Sequence, residues 1–265
     1  MSKPIGLLMV ALLVGVSTSL FARTEFERGT RMLEAFSREL REAAEERDPT
    51  RFPPKEYNRR LSLIEAAFNQ EVVSAVSARS RTSAAELQNE LRRALSPREP
   101  DPNVASVLAY EFSGRSLYVV AYALGVGAIA SRSWIGIVGS RGNAKGYEVL
   151  AGVEDSLPNR TVAIEPLGSA GQRGLTFLAH GIYWGDPHSH LTVIAYAFDG
   201  RALKTLLTRR DLTQGQVKVD GERIELTFLT FAQGPGYPPV PERTEIYRVT
   251  SSGIKLERSW EEKPK

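Results

Sequence analysis

Two stretches decide the fold: LYVVAYAL at Leu117–Leu124 and LTVIAYAF at Leu191–Phe198. Five of their eight positions are identical, at an offset of 74 residues. Each is short, apolar, rich in β-branched and aromatic side chains, and closed by a glycine, Gly125 or Gly200. Buried strands entering turns have this composition, so the pair predicts the core of a β-rich domain. It carries no chemistry of its own.

Downstream of Pro102 the hydrophobic period stays at two. Ile224, Leu226 and Phe228 alternate with Arg223, Glu225 and Thr227, which describes a strand with one buried and one wet face. Asp199-Gly200 and Asp220-Gly221 are hairpin dipeptides in which glycine takes the left-handed conformation. Such links impose antiparallel neighbours, and no amphipathic helix separates the strands, which excludes a parallel βαβ sheet. We expect an antiparallel β domain over 104–262 with twelve strands, 201–208 and 216–220 among them as separate strands. That number suits a sandwich or a barrel. The 74-residue offset adds an alternative, an open pair of propeller-like blades, because a closed propeller needs about sixteen strands. Outside the core strand the similarity fades: at the same offset Trp134 meets Thr208 and Gly136 meets Arg210.

Upstream, Ser96–Asn103 reads SPREPDPN, three prolines in eight residues without periodicity, so 97–103 is expected to be a linker. Residues 23–96 predict three amphipathic helices. Thr24 and Glu27 have capping-box spacing ahead of a stripe through Phe26, Leu33, Phe36, Leu40 and Ala43. A second helix begins near Pro54, and its stripe of Tyr57, Leu61, Ile64, Phe68, Val72 and Val76 runs in steps of four with one of three. That is a coiled-coil-like period, which needs a partner helix. Ser83 and Glu86 repeat the capping box before Leu87, Leu91 and Leu95. The fold class is therefore α+β with segregated parts, N-terminal amphipathic helices followed by an all-β antiparallel domain.

At the start of the chain, Met1–Pro4 carries one lysine, Ile5–Val16 is unbroken apolar sequence, and Ser17–Ser19 are small. Residues 1–22 thus have the plan of a secretory signal peptide. The alternative is a retained membrane anchor, since Ile5–Ala22 offers 18 residues without a charge. Both predict export, to the periplasm or the outer face of a membrane. The net charge of +3 is small, and the helical segment is balanced, with 15 basic against 14 acidic residues in 23–100. Nothing gathers basic residues for nucleic acid. With no cysteine, disulfides, thiolate nucleophiles and thiolate-bound metals are excluded for this chain.

All three histidines fall in HGIYWGDPHSH: His180, His188 and His190, with Asp186 between them. Imidazoles and a carboxylate suit zinc or another borderline divalent metal, and a His-x-His pair on an extended chain points both rings to one side. If Asp186–Ser189 is the turn, Gly185 faces His190, and His180 lies five residue pairs away, about 17 Å at ~3.4 Å per residue. The candidate metal ligands are then Asp186, His188 and His190, completed from another loop. The competing reading is a polar solvated turn opened by Asp-Pro, and His180 reads as a hydrogen-bonded sheet residue. Trp134, Tyr183 and Trp184 are the large amphipathic aromatics nearest predicted turns, candidates to stack on a sugar or a partner, against the usual fate of burial.

Two tempting loops fail on context. GVGAIA at Gly125–Ala130 matches a loose dinucleotide fingerprint, but strand-like sequence follows where the pyrophosphate needs a helix. GSRGNAKG around Lys145 lacks the Gly-Lys-Ser/Thr of a phosphate loop. Neither G-x-S-x-G nor H-E-x-x-H occurs. The expectation is a cofactor-free, non-enzymatic envelope protein, exported or membrane-tethered, whose helices associate with a protein partner or a second copy and whose β domain binds a partner or ligand. The alternatives are a metal-assisted hydrolase on Asp186, His188 and His190, and a carbohydrate-binding module on Trp134 and Trp184.

Overall fold

A computed structural model describes residues 26–46, 51–78, 83–96, 101–112, 114–126, 130–140, 146–154, 157, 161–168, 175–184, 188–230 and 240–262. The segment 1–22 lies outside them. No helix among the described residues is long and apolar enough to cross a membrane.

The helices form where the stripes predict: α1 at Glu27–Glu45, α2 at Pro54–Ala78 and α3 at Ala84–Leu95. At α3 the Ser83 hydroxyl accepts from the Glu86 amide at 3.2 Å, and the Glu86 carboxylate accepts from the Ser83 amide at 3.2 Å. The box expected at Thr24 falls outside the described residues. Phe26 is the N-cap residue of α1, with no side-chain cap. Glu71 of α2 supplies the acceptors, taking hydrogen bonds from the Arg28 amide at 2.7 Å and the Gly29 amide at 3.0 Å. A carboxylate from a neighbouring helix thus satisfies the free amides and complements the positive end of the helix dipole. Gly29 permits this approach, because a Cβ there would lie 2.8 Å from Glu71 Oε2.

Eleven strands follow among the described residues, all antiparallel to their neighbours. β1 (Ala105–Phe112), β2 (Arg115–Val126), β3 (Ala130–Gly139) and β4 (Glu148–Glu154) form one sheet in chain order. β5 (Ala163–Leu167), β6 (Leu175–Trp184), β7 (Ser189–Phe198), β8 (Leu203–Asp220), β9 (Arg223–Leu229), β10 (Glu242–Thr250) and β11 (Gly253–Glu262) form a second. The strands expected separately at 201–208 and 216–220 are one, β8, of 18 residues.

The layers are helices, first sheet, second sheet. Tyr118, Val120, Tyr122 and Leu124 on one face of β2 share a core with Leu61, Ile64, Phe68 and Val72 of α2. Leu117, Val119, Ala121 and Ala123 on its other face pack against Phe177, Ala179, Ile194 and Tyr196 of the second sheet. β7 repeats this, with Ile194, Tyr196 and Phe198 toward the first sheet and Leu191, Val193 and Ala195 in a third core. The two opening stretches are therefore strands buried on both faces, which is why they read as continuous apolar runs. The stripe of α2 finds its partner in a β-sheet as well as in α1, so the change at 97–103 marks a change of secondary structure within a shared core.

Neither sheet closes into a barrel. The second sheet curls instead: the Gly168 amide at the end of β5 donates to the Gly221 carbonyl in the β8–β9 turn at 3.0 Å. Its third core lies inside that curl, joining Leu178, Val193, Ile224, Leu226 and Tyr247. The strand pattern also recurs. Adding 74 to the bounds of β2 and β4 gives 189–200 and 222–228, against Ser189–Phe198 for β7 and Arg223–Leu229 for β9. Equivalent tyrosines look the same way, Tyr122 toward the helices and Tyr196 toward the first sheet. Two like-facing meanders are stacked, the first capped by the helices.

The helical layer is fastened to the first sheet by a buried polar cluster. Arg132 of β3 places Nε 2.8 Å from the Glu65 carboxylate of α2, donates to the Ser62 hydroxyl at 2.8 Å and also meets Glu154 of β4. Beside it the Tyr122 hydroxyl donates to Asn69 Oδ1 at 2.8 Å, and burial pushes its phenol well above the ordinary value.

Candidate functional site

Four of the residues singled out in the sequence, Tyr183, Trp184, His188 and His190, lie together at the tip of the β6–β7 hairpin, where β8 bends past it. β8 carries three bulges, the first at Leu206, between the partners of Ala195 and Tyr196, and two nearer the tip. Arg210 and Asp211 are the extra residues opposite Thr192 of β7, and Gln214 and Gly215 those opposite Phe228 of β9. Asp211 and Gln214 take positive φ, 56° and 49°, a conformation that costs a side-chain-bearing residue about 1–2 kcal/mol. Gly215 is required by contact rather than by dihedral angle, because a Cβ there would lie 2.7 Å from Leu191 Cβ and 2.8 Å from the Leu212 carbonyl oxygen.

Both strained residues are tied to the tip. The Tyr183 hydroxyl donates to Asp211 Oδ1 at 2.7 Å. That hydrogen bond, with burial second, pushes the Tyr183 phenol up to about 12. The Gln214 amide nitrogen lies 3.0 Å from His188 Nδ1, within hydrogen-bond distance. Tyr183 lies opposite His190 in the ladder and their rings stack, centroids 5.0 Å apart and 20° between planes. Trp184, next along β6, points to the other face and is 79% exposed. Bulges are a common way to re-aim side chains at a site, and here they bring a carboxylate and an amide to the hairpin tip.

The histidines separate by face. His190 pairs with Tyr183, a slip of two residues from the expected register, which leaves every side chain on its predicted face. His180 pairs with Val193 on the opposite face and holds Nε2 2.9 Å from Glu165 Oε1, as a hydrogen-bonded sheet residue. His188 and His190 stay at the tip; Asp186 lies outside the described residues. Two buried polar atoms there lack a hydrogen-bond partner, His190 Nδ1 and Thr192 Oγ1, and Thr192 as a residue is fully buried. Among the described residues no three His, Asp or Glu side chains gather as a metal site.

The aromatics also divide. Trp134, expected near a turn as a stacking surface, is 3% exposed in the core between the helices and the first sheet. Its indole lies across Gly136 and Gly152, where a Cβ would come within 2.1 Å and 3.2 Å of it, and its ring sits 5.4 Å from that of Tyr122. Gly136 and Gly152 are thus the floor on which Trp134 rests. As for the rejected fingerprint, the strand β3 begins at Ala130, while 127–129 and 141–145 lie outside the described residues.

Sequence reasoning missed Asp211, Gln214 and Gly215, whose signal was the run RRDLTQG inside a strand pattern, since Gly within a strand marks a bulge. It also missed Glu245 of β10, 3% exposed, which accepts from the Tyr247 hydroxyl at 2.6 Å and pairs with Arg209 at 3.0 Å and Arg243 at 3.1 Å. Arg243 and Tyr247 stand two residues to either side on β10 itself, and Arg209 reaches it from β8. The chain matches no known family model, no curated protein and no solved structure.

Proposed function

We propose that this chain is an exported or membrane-tethered envelope protein with a non-enzymatic binding or scaffolding role, and that the β6–β7 hairpin tip is its contact surface. The observation that carries the reading is Trp184, 79% exposed beside a Tyr183 held by Asp211 and stacked on His190. A tryptophan kept in water on a braced tip is the kind of anchor that interfaces use. The helices supply a second surface for association, the groove of about 260 Å³ between α1 and α2, whose rim includes Leu63, 48% exposed. The test is cross-linking in the envelope fraction of the source cells with wild type and Trp184→Ala. One species captured by wild type and lost with Trp184→Ala supports the proposal. Identical captures, or none, refute it. A glycan screen of the same two proteins asks whether the occupant is a carbohydrate, now with Trp184 and without Trp134.

A second reading rests on the unpartnered His190 Nδ1: a divalent metal such as zinc held by His190, His188 and Asp186, serving hydrolysis. Metal analysis of protein purified without a histidine tag decides it. Stoichiometric zinc lost with His190→Ala supports it, and a metal-free protein removes it.

A further inference from the structure

Several arginines of the helical layer are held in ion pairs. Arg31 pairs with Glu27, Arg51 with Glu42 and Glu46, Arg59 with Glu56, and Arg60 with Glu39 and Glu56. Arg38 and Arg41 have no hydrogen-bond or ion-pair partner among the described residues. They stand three apart on α1, hence on one face, where like charges repel. Both line a groove of about 320 Å³ between α1, the end of α3 and Gly125 at the end of β2. Its floor is apolar, made by Leu33 and Leu95. Ser37 and Ser96 line it too. Glu34 is the opposing charge on the wall and makes no ion pair among the described residues.

We propose that this groove binds a small amphiphilic monoanion, a monocarboxylate with a short apolar body. Two guanidiniums against one carboxylate leave a local charge of about +1, which suits one carboxylate group and disfavours a dianion. Guanidinium forks match carboxylate geometry, and a bound carboxylate relieves the repulsion between Arg38 and Arg41. The volume sits at the small end of ligand sites, roughly 300–1,000 Å³, so the body is short. Leu33 and Leu95 cover it while the charged end stays at the rim.

The probe is octanoate, titrated into the full chain and followed by amide shifts in NMR, with acetate and octanol as controls. The expected result is saturable binding with Kd on the order of a millimolar, with shifts at Ser37, Arg38, Ser96 and Gly125. Arg38→Gln with Arg41→Gln weakens it about tenfold or more, and Glu34→Gln tightens it. Acetate and octanol bind at least about tenfold more weakly than octanoate. Far-UV circular dichroism confirms that the variants, all exposed positions, keep the fold. Octanoate that fails to saturate, binds the arginine variant equally, or binds no better than acetate overturns the proposal.

Discussion

Arg132→Met tests whether the helices and the first sheet are one cooperative unit. Arg132 Nε lies 2.8 Å from the carboxylate of Glu65, a residue 4% exposed, whereas the Glu154 side chain that it also meets is 60% exposed. Methionine keeps the length of the side chain and removes its charge. Glu154 then returns to water, a loss below about 1 kcal/mol. Glu65 cannot return, and stranding a buried carboxylate costs about 3–5 kcal/mol. The expected total is about 4 kcal/mol, and at roughly 2–4 °C per kcal/mol for a chain of this size Tm falls by about 10 °C. The double variant Glu65→Leu with Arg132→Met removes both charges and is expected within about 1 kcal/mol of wild type. The Tyr122 hydroxyl keeps its bond to Asn69 in both variants. Urea unfolding followed by tryptophan emission reads the effect where it occurs, since Trp134 packs against Tyr122 in the same core. A double variant as unstable as Arg132→Met, or a single variant costing less than about 1 kcal/mol, refutes the reasoning.

Two further outcomes follow from the geometry. Gly136→Ala puts a Cβ 2.1 Å from the Trp134 ring and is expected to cost about 3 kcal/mol, while Gly146→Ala, with nothing within 4 Å, is expected to be neutral. Equal stabilities in chemical denaturation would contradict the seating of Trp134 on that glycine. Hydrogen bonds from Arg59 and then Arg60 hold the Glu56 carboxyl at about 2, against its ordinary 4.5. A depressed folded-state value means that this stabilisation is present above pH 4.5 and lost as pH falls toward 2, so Glu56→Gln should flatten the decline of Tm across that window. Parallel wild-type and variant profiles would show that the pair contributes nothing.

Legibility followed range. The three helices, the capping box at Ser83, the start at Pro54 and the antiparallel strands after Pro102 rest on contacts within a few residues, so their side chains spell them out. The same holds for Asp220-Gly221, where Gly221 takes a φ of 56°. The continuity of β8 through RRDLTQG was not legible, because two bulges hold it together against neighbours on β7 and β9. Nor was the cap of α1, supplied by Glu71 some forty residues on.

The candidate site divides along the same line. That His180, His188 and His190 lie on one hairpin was in the sequence, and so was the parity that sets His180 and His190 on opposite faces. Which aromatic stays in water was not: Trp134 and Trp184 are alike as residues, yet one rests on Gly136 and Gly152 beneath a helix while the other stands at an open tip. The sequence by itself determined the helices, the order of helices and strands and the antiparallel sense, because those follow from local propensity and period. The tertiary structure alone decided which faces are covered, which charges are paired and which residues meet at the tip. Burial and hydrogen bonding depend on what another segment brings into contact, and register, layer order and the curl of the second sheet set those contacts.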